Sequence, residues 1–232
     1  LIGRPFLVNL VDATWVQPAG IDSLVGGQLE TLGIVMMALE QSDLENGFMH
    51  AVVMSTELTP PAEGEEDAEP AMTQDLCIPT PIVTAGDDQT IGTDDDVIGV
   101  WQDPRIDIGP TNLNVFAQGQ AVTATGVTMR GVFSEDGLSL TNGRLEGKID
   151  LRSAADGLGM APDQICQFGV SMGIVCEECG EPTPGPYCVS SIIDDITSSA
   201  LETFQPQVRT CADIVTDESC ADNIPSVCTV TE

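Results

Sequence analysis

Gly143–Arg152 reads GRLEGKIDLR, and its alternation decides the fold class. Leu145, Gly147, Ile149 and Leu151 alternate strictly with Arg144, Glu146, Lys148, Asp150 and Arg152. A period of two with charge on one face is the pattern of a half-buried strand in an antiparallel sheet, because successive side chains point to opposite faces. The preceding run, TATGVTMRGVF at Thr123–Phe133, places Val127, Met129 and Phe133 on one side. Ser134-Glu135-Asp136-Gly137 and Asn142-Gly143 supply turn chemistry between the two runs, so the sequence predicts a β-hairpin. The basic residues on its polar face are expected to balance acidic neighbours across the sheet.

Working outward, Phe6–Trp15, Leu32–Leu39, Phe48–Thr56 and Cys77–Thr84 read as further strands. Ile106–Ala117 adds another, broken at Gly109-Pro110. Many strands separated by turn signals predict a mainly β protein, an antiparallel β-sandwich or barrel. Two acidic loops interrupt it, PPAEGEEDAEP at residues 60–70 and GDDQTIGTDDDVIG at residues 86–99. The tail has a different texture. Met160–Asp163 looks like a helix start with proline in the first turn, followed by Ile165, Phe168 and Met172 at helical spacing. Val189–Phe204 places Val189, Ile192, Ile193, Ile196, Ala200 and Leu201 on one helical face, which predicts a second helix closed by Pro206. The expected organisation is a β domain over residues 1–158 with a small, disulfide-rich, partly helical region packed on it over residues 159–232.

The chain has 232 residues, enough for one large domain with an appendage. Its charge is extreme: 37 Asp and Glu against seven Lys and Arg, a formal net charge of −30. On a folded surface of ~10,000 Å² that is one net negative charge for roughly every 340 Å². Such a surface repels nucleic acid, anionic lipid and copies of itself unless salt or cations screen it. The 42% apolar content excludes disorder of the whole chain. Aromatic residues are scarce, which weighs against stacking platforms for sugars or bases.

Eight cysteines are present. Cys77 stands alone, while Cys166, Cys176, Cys179, Cys188, Cys211, Cys220 and Cys228 crowd the tail. An even count with one histidine argues for four disulfides and an oxidising compartment. The pairing is left open by the sequence; if all eight pair, Cys77 must reach into the C-terminal cluster. The longest nearly unbroken apolar run, Leu32–Leu39, is too short to cross a bilayer. The chain begins at Leu1 without a methionine, which we read as an exported protein whose signal has been removed, with an upstream lipid anchor compatible with that reading.

Motifs that carry chemistry are weak. Gly169-Val170-Ser171-Met172-Gly173 matches the G-x-S-x-G elbow, but that motif needs a strand before it and a histidine after it; the only histidine, His50, lies far upstream. Cys176-Glu177-Glu178-Cys179 is a C-x-x-C, but it lacks the spacing of a zinc site and the βαβ setting of a redox motif. Its two central carboxylates would raise a thiol pKa rather than lower it. The loop at 86–99 offers Asp87, Asp88, Asp94, Asp95 and Asp96 as candidate Ca²⁺ ligands, since hard oxygens and flexible glycines suit that ion. It fails as an EF-hand, with Gln89 and Ile91 at ligand positions and Ile98 where the terminal Glu belongs. No other cofactor is expected.

Three segments carry a resemblance: GRPFLVNLVDATWVQPAGI at Gly3–Ile21, GVFSEDGLSLTNGRLEGKIDLR at Gly131–Arg152 and CEECGEPTPGPYC at Cys176–Cys188. In these the chain is similar to uncharacterised exported acidic proteins, many of them predicted lipoproteins, of myxobacteria and related deltaproteobacteria. The resemblance implies a periplasmic, outer-membrane or extracellular location and brings no assigned activity. By elimination, the sequence predicts a non-catalytic envelope or cell-surface protein, a structural or accessory subunit of a larger assembly with protein partners. The alternatives are a β-barrel or sandwich that binds a small apolar ligand or Ca²⁺, and an enzyme using a carboxylate pair. A cavity lined by Val127, Met129, Phe133 and Ile149 would mark the ligand carrier; a filled interior with exposed apolar residues would mark the subunit.

Overall fold

The computed structural model describes residues 1–19, 30–59, 71–85, 91, 93–94, 96–97, 99–117, 120–157, 159–171, 173–180, 184–221 and 228. The loop at residues 60–70 and most of the loop at residues 86–99 lie outside them. The protein is mainly antiparallel β: a single 11-stranded sheet curled into a half-barrel. The strands are β1 (Pro5–Asn9), β2 (Thr14–Gln17), β3 (Leu32–Ala38), β4 (Phe48–Met49), β5 (Ala51–Thr59), β6 (Ala71–Thr73), β7 (Gly99–Gln102), β8 (Arg105–Ala117), β9 (Gln120–Phe133), β10 (Ser139–Asp150) and β11 (Cys188–Ala200). The helices are short: α1 (Arg152–Gly157), α2 (Pro162–Val170) and α3 (Cys211–Thr216).

In space the strands run β4-β7-β8-β9-β10-β11-β1-β3-β5-β6, with β2 on β11. β4 and β5 are consecutive in the chain, separated by His50, yet β4 pairs with β7 at one end of this path and β5 with β3 near the other. The chain from Phe48 to Thr59 therefore brings the two ends of the sheet together, which gives the curl its inside. There Phe6, Met36, Val53, Trp101, Ile108 and Phe133 pack as one core. Phe133 sits at its centre, with ring centroids 5.1 Å from Phe6 and 5.8 Å from Trp101.

The predicted hairpin is β9–β10. Its turn closes through the Gly137 N–H to the Ser134 carbonyl at 2.9 Å, with Gly137 at φ 66° as the left-handed position requires. Asn142-Gly143 does not form a turn. It is a bulge inside β10, with Asn142 at φ 49° and the register shifting on either side of Gly143.

Three further expectations are corrected. The segment read as a helix over Val189–Phe204 is strand β11, paired with β10 on one side and with β1 and β2 on the other. Asp195, at φ 58°, kinks the strand, so the buried positions run Val189, Ser191, Ile193 and then Ile196, Ser198. That change of phase imitates helical spacing. The segment Cys77–Thr84 makes only an isolated bridge from Ile82 to Val52, because Pro79 and Pro81 remove the backbone donors a ladder needs. Phe6–Trp15 is likewise two strands, split by a turn in which Asn9 Oδ1 accepts from the N–H groups of Val11 and Asp12.

The tail after β11 folds back across the outside of the sheet. Leu201 is buried with Val35, Met37, Val52 and Met54, and half-buried Phe204 packs against them. The Thr80 N–H donates to the Arg209 carbonyl at 2.8 Å. The disulfide Cys77–Cys220 then fastens the end of the tail to the loop before Val83.

Candidate functional site

Alternation along β8–β11 sends Ile106, Ile108, Phe133 and Ile193 inward and leaves Arg105, Asp107, Arg130, Arg144, Glu146 and Lys148 on the outer face. Four of the chain's seven cations thus share one sheet face. Arg130 stands directly opposite Arg144 on β10 and opposite Asp107 on β8. Like charges in register oppose pairing unless each has its own carboxylate. Each has one: Arg130 Nε lies 3.1 Å from Asp107 Oδ2, and Arg144 Nη1 reaches both Asp194 oxygens at 2.7 and 2.8 Å. Arg144 also pairs with Glu146, and these hydrogen bonds, that to Glu146 first, raise its guanidinium pKa.

Beside this row an open groove of about 700 Å³ is lined by residues including Asn112, Thr125, Thr128, Glu146, Lys148 and Ser190. Several of its polar groups are engaged with the protein itself, whereas the buried Ser191 Oγ, also on its lining, has no hydrogen-bond partner. The Lys148 ammonium donates to the Glu178 carbonyl at 2.7 Å and lies 3.7 Å from Glu177 Oε2. The Ser190 hydroxyl bonds the Glu177 carboxylate, and Thr125 Oγ1 donates to the Cys179 carbonyl at 3.0 Å. Glu177 pairs with Cys188 at the edge of β11. The cluster therefore clamps residues 177–179 onto the sheet. It positions the Cys-rich segment against the sheet.

All eight cysteines are paired: Cys77–Cys220, Cys166–Cys176, Cys179–Cys188 and Cys211–Cys228. The C-x-x-C is split between two bridges. Asp150, Cys179 and Cys188 lie within 4.8 Å of one another, but the two sulfurs are spent on each other, and Asp150 accepts from Arg152 at 2.6 Å. Hydrogen bonding to Asp150 raises the Arg152 pKa. Four disulfides mark a chain that matures in an oxidising environment. No helix among the described residues is long and apolar enough to cross a membrane.

The sequence-predicted sites fall elsewhere. Of the candidate calcium ligands, Asp87, Asp88 and Asp95 lie outside the described residues. Asp94 is exposed, and the Asp96 N–H donates to the Thr93 carbonyl at 3.3 Å. Ser171 of the G-x-S-x-G match caps the end of α2, its hydroxyl donating to the Phe168 carbonyl at 2.7 Å. His50 Nδ1 lies 3.1 Å from Thr84 Oγ1, a structural contact where the chain passes from β4 to β5.

Inside the curl, Val127 and Phe133 are each 4% exposed, while Met129 and Ile149 are half-buried. Outside it, Phe168, Val170 and Val175 are 56%, 62% and 70% exposed. All three lie within the loop closed by Cys166–Cys176, where Gly169 packs against Ile174. Sequence reading placed Phe168 at helical spacing with Ile165 and Met172, and in the structure it lies in α2 with its side chain exposed. No protein-family model, curated protein or solved structure matches this chain.

Proposed function

We propose that this chain is a non-catalytic protein of the cell envelope or cell surface, acting as a structural or accessory subunit of a larger assembly. One observation carries the reading: apolar side chains are displayed on a covalently locked loop, Phe168, Val170 and Val175 between Cys166 and Cys176. Exposing apolar surface on a rigid element is costly for an isolated protein and is the signature of a contact made with something else. The net charge of −30 makes contacts that are apolar, bridged by cations or made with a basic surface the ones available. The four disulfides and the acidic surface suit the periplasm, outer membrane or exterior rather than the cytosol.

The test is to extract the chain from its native envelope in mild detergent and compare it with a Phe168→Ser/Val175→Ser variant by native mass spectrometry. The wild-type chain is expected in a particle heavier than its own 24.4 kDa, and the variant is expected to fall out of it with its melting temperature unchanged. A wild-type chain that runs free in every fraction overturns the proposal.

A further inference from the structure

The floor of the open groove beside the charged row is a line of residues in register across four strands. Gln17 on β2 pairs with Ile192 on β11, Ile192 with Glu146 on β10, and Glu146 with Thr128 on β9. Thr111 and Asn112 on β8 carry the lining past Thr128. The neighbouring row, Ser190, Lys148 and Thr125, holds the clamped segment at residues 177–179 and forms one side. From β2 to β8 the groove crosses four inter-strand spacings, roughly 19 Å. The unpaired Ser191 hydroxyl takes no part in this row, because alternation with Ile193 turns its side chain inward.

Strand irregularities collect along the same line. In β8, Gly109 and Pro110 fall between the pairs Ile108↔Met129 and Thr111↔Val127, so two residues oppose Thr128. In β9, Gly126 and Val127 together oppose Gly147, with Gly126 at φ 60°. In β2, Val16 is the extra residue between Ile192↔Gln17 and Ile193↔Trp15. Bulges gather beside binding sites because they interrupt pairing locally and re-aim side chains. Here three of them border one groove.

We propose that this groove binds a neutral oligosaccharide. The charge on its lining is already matched: Glu146 is paired with Arg144, and the Lys148 ammonium lies 3.7 Å from Glu177 Oε2. A charged ligand gains little from charges that are already neutralised. An anion is also repelled by the net charge of −30, and a cation is drawn to carboxylates over the whole molecule rather than to this line. What distinguishes the groove is hydroxyls and amides at strand spacing, from Gln17, Thr128, Thr111 and Asn112, beside the apolar surfaces of Ile192 and Pro110. A sugar chain presents the complementary mixture, hydroxyls that both donate and accept next to apolar C–H faces. No aromatic ring is among the described lining residues, so hydrogen bonds must hold the sugar and the dissociation constant is on the order of 1 mM. The site goes beyond the assembly reading and uses none of Phe168, Val170 and Val175, so either proposal can fail while the other stands.

The purified, isotope-labelled full chain is titrated with maltotetraose, cellotetraose and N-acetylchitotetraose, each to ~20 mM, and amide chemical shifts are followed. At least one sugar should move the amides of Gly126, Thr128, Gly147 and Ile192 saturably. Raising NaCl from about 0.05 M to about 0.5 M should leave that affinity within about twofold, because the ligand carries no charge to screen. Thr128→Val, which removes a hydroxyl and keeps the shape of the side chain, should weaken binding about five- to tenfold. The proposal is overturned if no sugar moves those amides, if the shifts fall elsewhere, if salt abolishes binding, or if a folded Thr128→Val chain binds as the wild type does. The titration and its salt dependence need only the wild-type chain, so they decide the matter whether or not the variant folds.

Discussion

Asp217 accepts from the backbone N–H and hydroxyl of Ser219 at 3.0 and 2.6 Å and pairs with Arg209 Nη2 at 2.7 Å. The Ser219 hydrogen bond first, and Arg209 next, hold its carboxyl down to about 2. A depressed carboxyl pKa stabilises the fold above the unfolded value near 3.8, and that contribution is lost as pH falls through about 2. Asp217→Asn should therefore melt below the wild type by a constant margin above about pH 5. The margin should close between about pH 4 and pH 2; calorimetry across that range checks it, and a margin that does not change with pH refutes the assignment. Asp195 makes a second point at this scale. Its φ of 58° is a conformation that β-branched residues avoid, so Asp195→Val should cost about 1–2 kcal/mol in urea unfolding, while Asp195→Asn should stay close to the wild type. That one residue also explains why β11 was illegible. The kink moves the buried set from Ile193 to Ile196, a step of three, and the string of apolar residues then fits a helix as well as a strand. Nothing in the local sequence separates the two; the neighbours β10 and β1 do.

Among the elements, β9–β10 was legible because charge and apolarity alternate without interruption along Arg144–Arg152, a pattern only a strand with one wet face satisfies. Asn142-Gly143 was misassigned because a bulge and a tight turn use the same left-handed chemistry. The disulfides divide by setting. Cys179 and Cys188 are buried, Cys166 and Cys176 half-exposed, so mild reductant should open Cys166–Cys176 before Cys179–Cys188. Differential alkylation with mass spectrometry should find label on Cys166 and Cys176 before any appears on Cys179 or Cys188. Cys77–Cys220 closes a loop with a sequence separation of 143, the longest of the four. By loop-closure entropy, Cys77→Ser/Cys220→Ser should cost about 4–5 kcal/mol, read as a lower denaturation midpoint. A loss no greater than that of Cys166→Ser/Cys176→Ser would contradict it.

For the whole molecule, 37 acidic side chains on one chain oppose compaction. Raising NaCl from about 10 mM to about 0.5 M should therefore raise the melting temperature, because the repulsion spans distances that salt screens; a melting temperature that falls with salt would show that ion pairs such as Arg144–Asp194 outweigh it. Charge and cysteine content were readable from composition, and the β class from the alternation along Arg144–Arg152. The candidate site was not. The outer row Asp107, Arg130, Arg144, Asp194 and the clamp at Lys148 and Glu177 draw on strands far apart in sequence, and only the strand order assembles them.

That order has a consequence for how the protein is made. β11 lies between β10 and β1, so everything N-terminal to residue 188 amounts to two flaps that meet where β4 runs into β5 but have nothing to join them between β10 and β1 until the last fifth of the chain arrives. A polypeptide truncated before Cys188 should accumulate as aggregate or be degraded, and during synthesis the earlier strands must wait, chaperoned or slow to pair, for their missing middle.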